Sequence, residues 1–186
     1  ALNFFSSSKI LMNKHDPYLE RFVKSLVLEN NVAQAINIIK TNDTKNNSNF
    51  FEAYILLALD SLKRNKIKKA NEILKNVPEN LKKERFKYII HQSFEQLIDV
   101  FQNKKIKKTN QNFGNLSLIS ETFQRCFLDD EKTDTFFLRL INNAQSDYSR
   151  YVYFYLTYLI EKDRVREAKE ITDDLDYINT TLLLSQ

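Results

Sequence analysis

Few side chains in this chain of 186 residues are of the kinds that do chemistry, and their spacing keeps them apart. A metal site on a helix needs two histidines about one turn apart, or thiols in close pairs, so that several donors converge on one ion. His15 and His91 are distant in sequence, and Cys126 is the single cysteine. That rules out an intrachain disulfide and makes packing as a small apolar residue the expected role of the thiol. Gly114 is the only glycine, so no glycine-rich loop can gather backbone N–H groups around a phosphate. Carboxylates cluster at Asp129-Asp130-Glu131 and Asp173-Asp174. Both clusters fall at expected turns or helix ends, where solvated charge is the ordinary state and general acid–base work the rare one. The expectation is a chain that is not an enzyme, with no catalytic residue, no metal and no cofactor.

Two other features could serve binding. Lys63–Lys108 carries 14 basic against 5 acidic side chains, a net of +9, while residues 1–62 balance and residues 109–186 carry −5, so the formal +4 hides a dipolar chain. A basic centre can track nucleic-acid phosphates or an acidic protein. These lysines fall on the outer turns of expected helices without regular aromatic interleaving, which favours a solvated face over a nucleic-acid track. The second feature is the run Tyr148, Tyr151, Tyr153, Phe154, Tyr155 and Tyr158. On a helix Tyr151, Tyr155 and Tyr158 share one face while Tyr153 points elsewhere, so one neighbour cannot bury every ring. A tyrosine left on a surface offers a large contact area with a polar tip.

The elements that would position these side chains are written as a repeat. Ile67-Lys68-Lys69-Ala70-Asn71 recurs as Ile106-Lys107-Lys108-Thr109-Asn110, with fainter copies at Asn31-Val32-Ala33-Gln34-Ala35 and Arg164-Val165-Arg166-Glu167-Ala168. The small residues recur at a period in the mid-thirties, that of stacked helical pairs. One glycine, two prolines and 42% hydrophobic content leave little room for hairpins, so helix is expected throughout. Asp16-Pro17 opens a helix carrying Leu19, Phe22, Val23 and Leu26 at helical spacing. Asn49 with Glu52 reads as a capping box for Phe50–Lys63, and Pro78-Glu79 opens a helical stretch to about Phe101. A short lysine-rich helix follows, closed by Gly114, then helices over Leu116–Leu128, Thr133–Ala144, Asp147–Glu161 and Val165–Leu175. Asn30, Asn65, Asn103 and Asp163 are placed to turn the chain in the left-handed conformation, which asparagine tolerates better than any residue but glycine. Ala1–Met12 reads as the second helix of a pair whose partner is missing, Thr41–Ser48 as a polar linker, and Tyr177–Leu184 as an apolar tail.

Tyr54, Leu57, Ala58 and Ala70 are an aromatic, an aliphatic and a small residue on one helix with a small residue on the next, at a spacing that resembles tetratricopeptide repeats. Leu19, Phe22, Val23 and Ala35 give a second such set, and Val152, Leu156 and Ala168 a third. The arrangement is similar to large repeat proteins of α-proteobacteria, which would make this chain part of a longer protein. The resemblance implies an all-α, right-handed α-α superhelix of about ten helices: one solenoid domain over 1–186, with clearer repeats in 1–114, irregular helices in 115–146, and a last repeat and tail in 147–186. It implies a protein-interaction scaffold in which the first helix of each pair lines a groove. Carried over by position, that puts Glu20, Lys24, Glu52, Ile55 and Leu59 on the groove wall, joined by His91, Phe94, Arg150, Tyr153 and Thr157. The paired Lys and Asn of the family's carboxylate clamp are not assembled, so binding of chaperone tails is not implied. The alternatives are a nucleic-acid-binding solenoid using residues 63–108, and a module that stacks end to end, giving a homodimer through open ends.

The longest apolar runs, Ala53–Leu59 and Val152–Leu156, fall far short of the roughly 20 residues a membrane span needs. A soluble chain of the cytoplasm or periplasm is expected. No signal-peptide pattern is present, and the start at Ala1 without methionine suggests that an upstream segment has been removed.

Overall fold

The computed structural model describes residues 3, 7, 16–42, 50–108, 113–142 and 150–173, the side chains of Asp16 and Arg150 excepted. The expectations for Ala1–Met12 (Asn3 and Ser7 apart), for the linker beyond Asn42, for residues 109–112, for Tyr148 and for the Tyr177–Leu184 tail lie outside the described residues. So do both chain ends, through which stacking is expected. The chain is all-α: among the described residues there are nine α-helices, one 3-10 turn and no strand. It divides into two compact units, Ala1–Gln102 and Asn103–Gln186.

In the first unit α1 (Asp16–Leu28) packs on α2 (Val32–Asn42), α2 on α3 (Phe51–Lys63), and α3 on α4 (Ile67–Lys75). A 3-10 turn, Glu79–Lys82, interrupts the stretch expected to run as one helix from Pro78, and α5 (Arg85–Asn103) begins after it. Leu19, Phe22, Val23 and Leu26 of α1 meet Ala35 and Ile39 of α2 in one apolar cluster. Ala58 of α3, Ala70 and Leu74 of α4, and Ile98 of α5 form the next.

The second unit contains α6 (Asn115–Leu128), α7 (Thr133–Ile141), α8 (Arg150–Glu161) and α9 (Val165–Asp173), with α7 packed on α6, α8 on α7 and α9 on α8. Its core is Phe137, Tyr155, Tyr158, Leu159 and Ala168, with the Phe137 and Tyr155 rings stacked at 4.9 Å. The acidic turn is tied to α8 and the residue that follows it. Asp129 accepts hydrogen bonds from Tyr158 Oη at 3.1 Å and Lys162 Nζ at 2.6 Å. Arg125, with a side chain only 8% exposed, lies between Glu121 and Asp130 and over the Phe136 ring. Burial, then the Asp134 carboxylate that takes its hydrogen bond, pushes the Tyr155 phenol well above its ordinary range.

One turn recurs in both units. Asn30 (φ 60°), Asn65 (φ 58°), Asp129 (φ 54°) and Asp163 (φ 58°) each sit left-handed at the end of a helix. The next N–H reaches back five residues: Asn31 to Leu26 O at 2.7 Å, Lys66 to Ser61 O at 2.8 Å, Asp130 to Arg125 O at 3.0 Å and Arg164 to Leu159 O at 2.9 Å. This is the bond that satisfies the otherwise orphaned carbonyls of a helix C-terminus. In three of these hairpins the residue five positions after the left-handed one is an alanine, Ala35, Ala70 or Ala168, exposed by 0, 0 and 5%. Two helices approach to about 8–10 Å only where side chains are short. In the hairpin of α6 and α7 that place is taken by Asp134, which accepts from Tyr155 Oη at 3.1 Å and Arg164 Nη1 at 3.0 Å. The turn thus persists where the small residue does not.

Two sequence expectations are corrected here. The left-handed residue after α5 is Lys104 (φ 53°), not Asn103. Ile106-Lys107-Lys108, the strongest sequence echo of the first helix turn of α4, is not helical. The Lys107 N–H is donated to Oε1 of the buried Gln124 at 2.8 Å, and Gln124 is tied in turn to Ser120 at 3.2 Å. That bond anchors the segment to α6. Among the described residues no helix is long and apolar enough to cross a membrane.

Candidate functional site

Within the first unit, α1, α3 and α5 leave a groove of about 500 Å³ between them. Each helix contributes side chains one turn apart, which share a face because a helix repeats every 3.6 residues: Val23 and Val27 from α1, Phe51 and Ile55 from α3, Phe86 and Ile90 from α5. Leu28 and Leu56 complete the apolar lining. Leu28 is 86% exposed and Phe86 72%. A side chain of this size left in water forgoes about 1.5–3 kcal/mol relative to full burial. Single exposed apolar residues are common on any protein; two facing one apolar hollow are the informative case.

Charged groups stand in and beside this lining. Lys24 Nζ donates to Glu20 Oε1 at 2.6 Å and lies 3.4 Å from Glu52 Oε1, and Lys87 Nζ donates to Glu84 Oε1 at 2.9 Å. Glu20's hydrogen bond, with the nearby Glu52 charge adding to it and burial opposing, holds Lys24 above the ordinary lysine range. Glu84's hydrogen bond does the same for Lys87, again against burial, with smaller contributions from the Glu52 and Glu20 charges. Among the described residues Glu52 Oε2 is shielded from solvent and has no hydrogen-bond partner.

Glu52 does not cap its helix. The capping box expected from Asn49 and Glu52 puts the helix start one residue too early. Phe50 is the N-cap, in extended conformation (φ −134°, ψ 149°) with no side-chain cap bond, and its buried ring sets where the chain enters α3. Asn49 itself lies outside the described residues.

Of the residues expected on the groove wall, Lys24, Glu52 and Ile55 come together here, with Glu20 alongside as the partner of Lys24. Leu59 points into a separate hollow of about 480 Å³ shared with Val32, Ile36 and Asp60. His91 is buried at 2% exposure, its Nε2 2.9 Å from Leu74 O, so it presents no surface to a partner. Phe94 is half-buried against the Ala58–Ala70 cluster. Tyr153 and Thr157 are exposed on α8 of the second unit, where Thr157 Oγ1 donates to Tyr153 O at 2.9 Å. The side chain of Arg150 lies outside the described residues. The sequence reading missed Leu28, Phe86, Lys87 and Ile90, although the Phe86–Ile90 spacing of one turn at the start of α5 was available as a signal.

Lysines gather elsewhere on this unit. Lys66, Lys68 and Lys69, at the start of α4, border an open hollow of about 820 Å³ with Asn65, Ile67 and Gln102. Comparison with protein-family models, with curated proteins and with solved structures finds no match. What the groove and the lysine-edged hollow can do therefore rests on their own chemistry. The groove has an apolar floor with charge at its edge.

Proposed function

We propose that this chain is a non-catalytic protein-interaction scaffold built from degenerate tetratricopeptide-like helical pairs, and that it holds a peptide or protein segment in the groove of α1, α3 and α5. The observation that carries this reading is the exposure of Phe86 and Leu28 onto one apolar hollow lined by α1, α3 and α5. Partner binding would bury them and recover the free energy they forgo in water. The test is selection of binders from a displayed random peptide library on the full chain, followed by affinity measurement with Phe86→Asp and Leu28→Asp. Losing a central interface aromatic commonly costs about 2 kcal/mol or more, roughly thirtyfold in affinity. Selected peptides that bind Phe86→Asp and Leu28→Asp as well as the native chain would refute the groove reading.

A second reading has its own observation, the lysine-edged hollow at Lys66, Lys68 and Lys69. A polyanion such as single-stranded nucleic acid held there would bind with an affinity that falls steeply with salt, because each neutralised phosphate releases counterions. Exchanging these three lysines for glutamate would abolish such binding and leave peptide capture in the groove intact.

A further inference from the structure

This inference rests on the reading of the groove as a peptide site and names the class of peptide. We propose that the groove takes a segment combining large apolar side chains with one arginine or lysine, and that Glu52 receives that cation. The apolar requirement follows from size. A cavity of roughly 150 Å³ accommodates a benzene ring, so a groove of about 500 Å³ has room for about three side chains of that bulk.

The cation requirement follows from the charges. Three carboxylates, Glu20, Glu52 and Glu84, face two ammonium groups, Lys24 and Lys87. Each lysine is committed to a close partner, Lys24 to Glu20 at 2.6 Å and Lys87 to Glu84 at 2.9 Å. Glu52 is the carboxylate left over. Its nearest cation among these, Lys24 Nζ, is 3.4 Å from Oε1, and Oε2 is closed off from solvent with no hydrogen-bond partner among the described residues. Leaving a carboxylate oxygen unsolvated and unbonded is costly, and a donor arriving from the groove removes that cost. The Glu52 side chain as a whole is 35% exposed, so a change of rotamer can bring the carboxylate out to meet it. An arginine suits the place best, since its planar guanidinium can lie along apolar surface while its N–H groups engage both carboxylate oxygens.

The whole chain carries a formal +4, which opposes a basic partner at long range. At physiological salt that repulsion is screened beyond about 8 Å, whereas a contact pair beside an apolar wall is screened far less. The local carboxylate therefore decides. An acidic segment would meet the same unpaired charge as repulsion, and this separates the two classes of peptide.

The experiment is a displayed random-peptide selection carried out in parallel on the full native chain and on Glu52→Gln. The change to glutamine keeps shape and removes charge, and circular dichroism of both proteins verifies the fold. Expected is an enriched pattern of apolar residues with one arginine or lysine on the native chain. The basic position should be lost on Glu52→Gln while the apolar positions stay, and a selected arginine peptide should bind that variant roughly tenfold or more weakly. Apolar peptides without a basic position, or a basic position that survives Glu52→Gln, would overturn the assignment to Glu52 and leave the groove reading standing. Peptides indifferent to Phe86→Asp, or no enrichment at all, would overturn the groove reading and this inference with it.

Discussion

Replacing Ala70 with leucine tests whether the recurring alanine is demanded by helix contact. Ala70 and Ala58 both have 0% exposure and share one cluster with Leu74 and Ile98, so the space beyond the Ala70 methyl is occupied from three helices. A leucine adds three carbon atoms there, which fit only if α3 and α4 separate or Leu74 leaves its preferred rotamer. Overpacking of this kind costs about 1–3 kcal/mol. With a urea dependence of about 1–3 kcal/mol per molar, a loss of 2 kcal/mol lowers the unfolding midpoint by roughly 1 M. The assay is urea unfolding of the full chain followed by far-UV circular dichroism, with Ala33→Leu on the exposed side of α2 as control, expected within about 0.5 kcal/mol of the native chain. An unchanged or raised midpoint for Ala70→Leu would show that the site has room. The alanine would then have no structural cause in helix approach.

Other perturbations follow from the same geometry. Asn65→Ala, at φ 58°, should cost about 1–2 kcal/mol, because a Cβ without a polar group is strained in the left-handed region, while Asn65→Gly should cost little; equal midpoints for the two would refute the turn. The Asp60 carboxyl is held below its ordinary 3.8, first by the hydrogen bond from Lys40 at 2.7 Å and then by that from Arg64, against the opposing effect of burial. Its folded value lies below its unfolded one, so the stability it contributes is complete above the unfolded value and is lost as pH falls through the folded value. Asp60→Asn should therefore shrink the loss of thermal stability between about pH 5 and pH 2, and an unaltered acid limb would refute the assignment. Burial, then the Glu161 and Asp129 carboxylates, pushes the Cys126 thiol up, so alkylation of the native chain at mildly alkaline pH should be slower than that of the urea-unfolded chain. Equal rates would place the thiol in open solvent.

The hairpins were legible because their signals are local. Asn30, Asn65 and Asp163 turn the chain where a left-handed residue is needed, and Ala35, Ala70 and Ala168 fall at one fixed distance beyond, so a single copy of the motif carries both turn and contact. The second lysine-rich copy misled because similarity over Ile106-Lys107-Lys108 does not specify helix; there the Lys107 N–H is donated to the side chain of Gln124, 17 residues on. His91 misled for a related reason. On a helix of 19 residues, with 3.6 residues to a turn, the face assigned from a distant repeat drifts, and His91 comes to lie against the Leu74 carbonyl. Three of the eleven residues lining the groove, Lys24, Glu52 and Ile55, were placed there by the repeat. Leu28 and Phe86 were not, since exposure of an apolar residue depends on what fails to cover it, and no pattern of residue types records that.

The most direct test of the account is a titration of the isotopically labelled full chain with a peptide selected on it, followed by amide chemical-shift mapping. The account predicts shifts concentrated at Lys24, Leu28, Glu52, Phe86 and Lys87, abolished in Phe86→Asp. Shifts centred on Lys66, Lys68 and Lys69, or on Tyr153 of the second unit, with the groove residues unmoved, would contradict it.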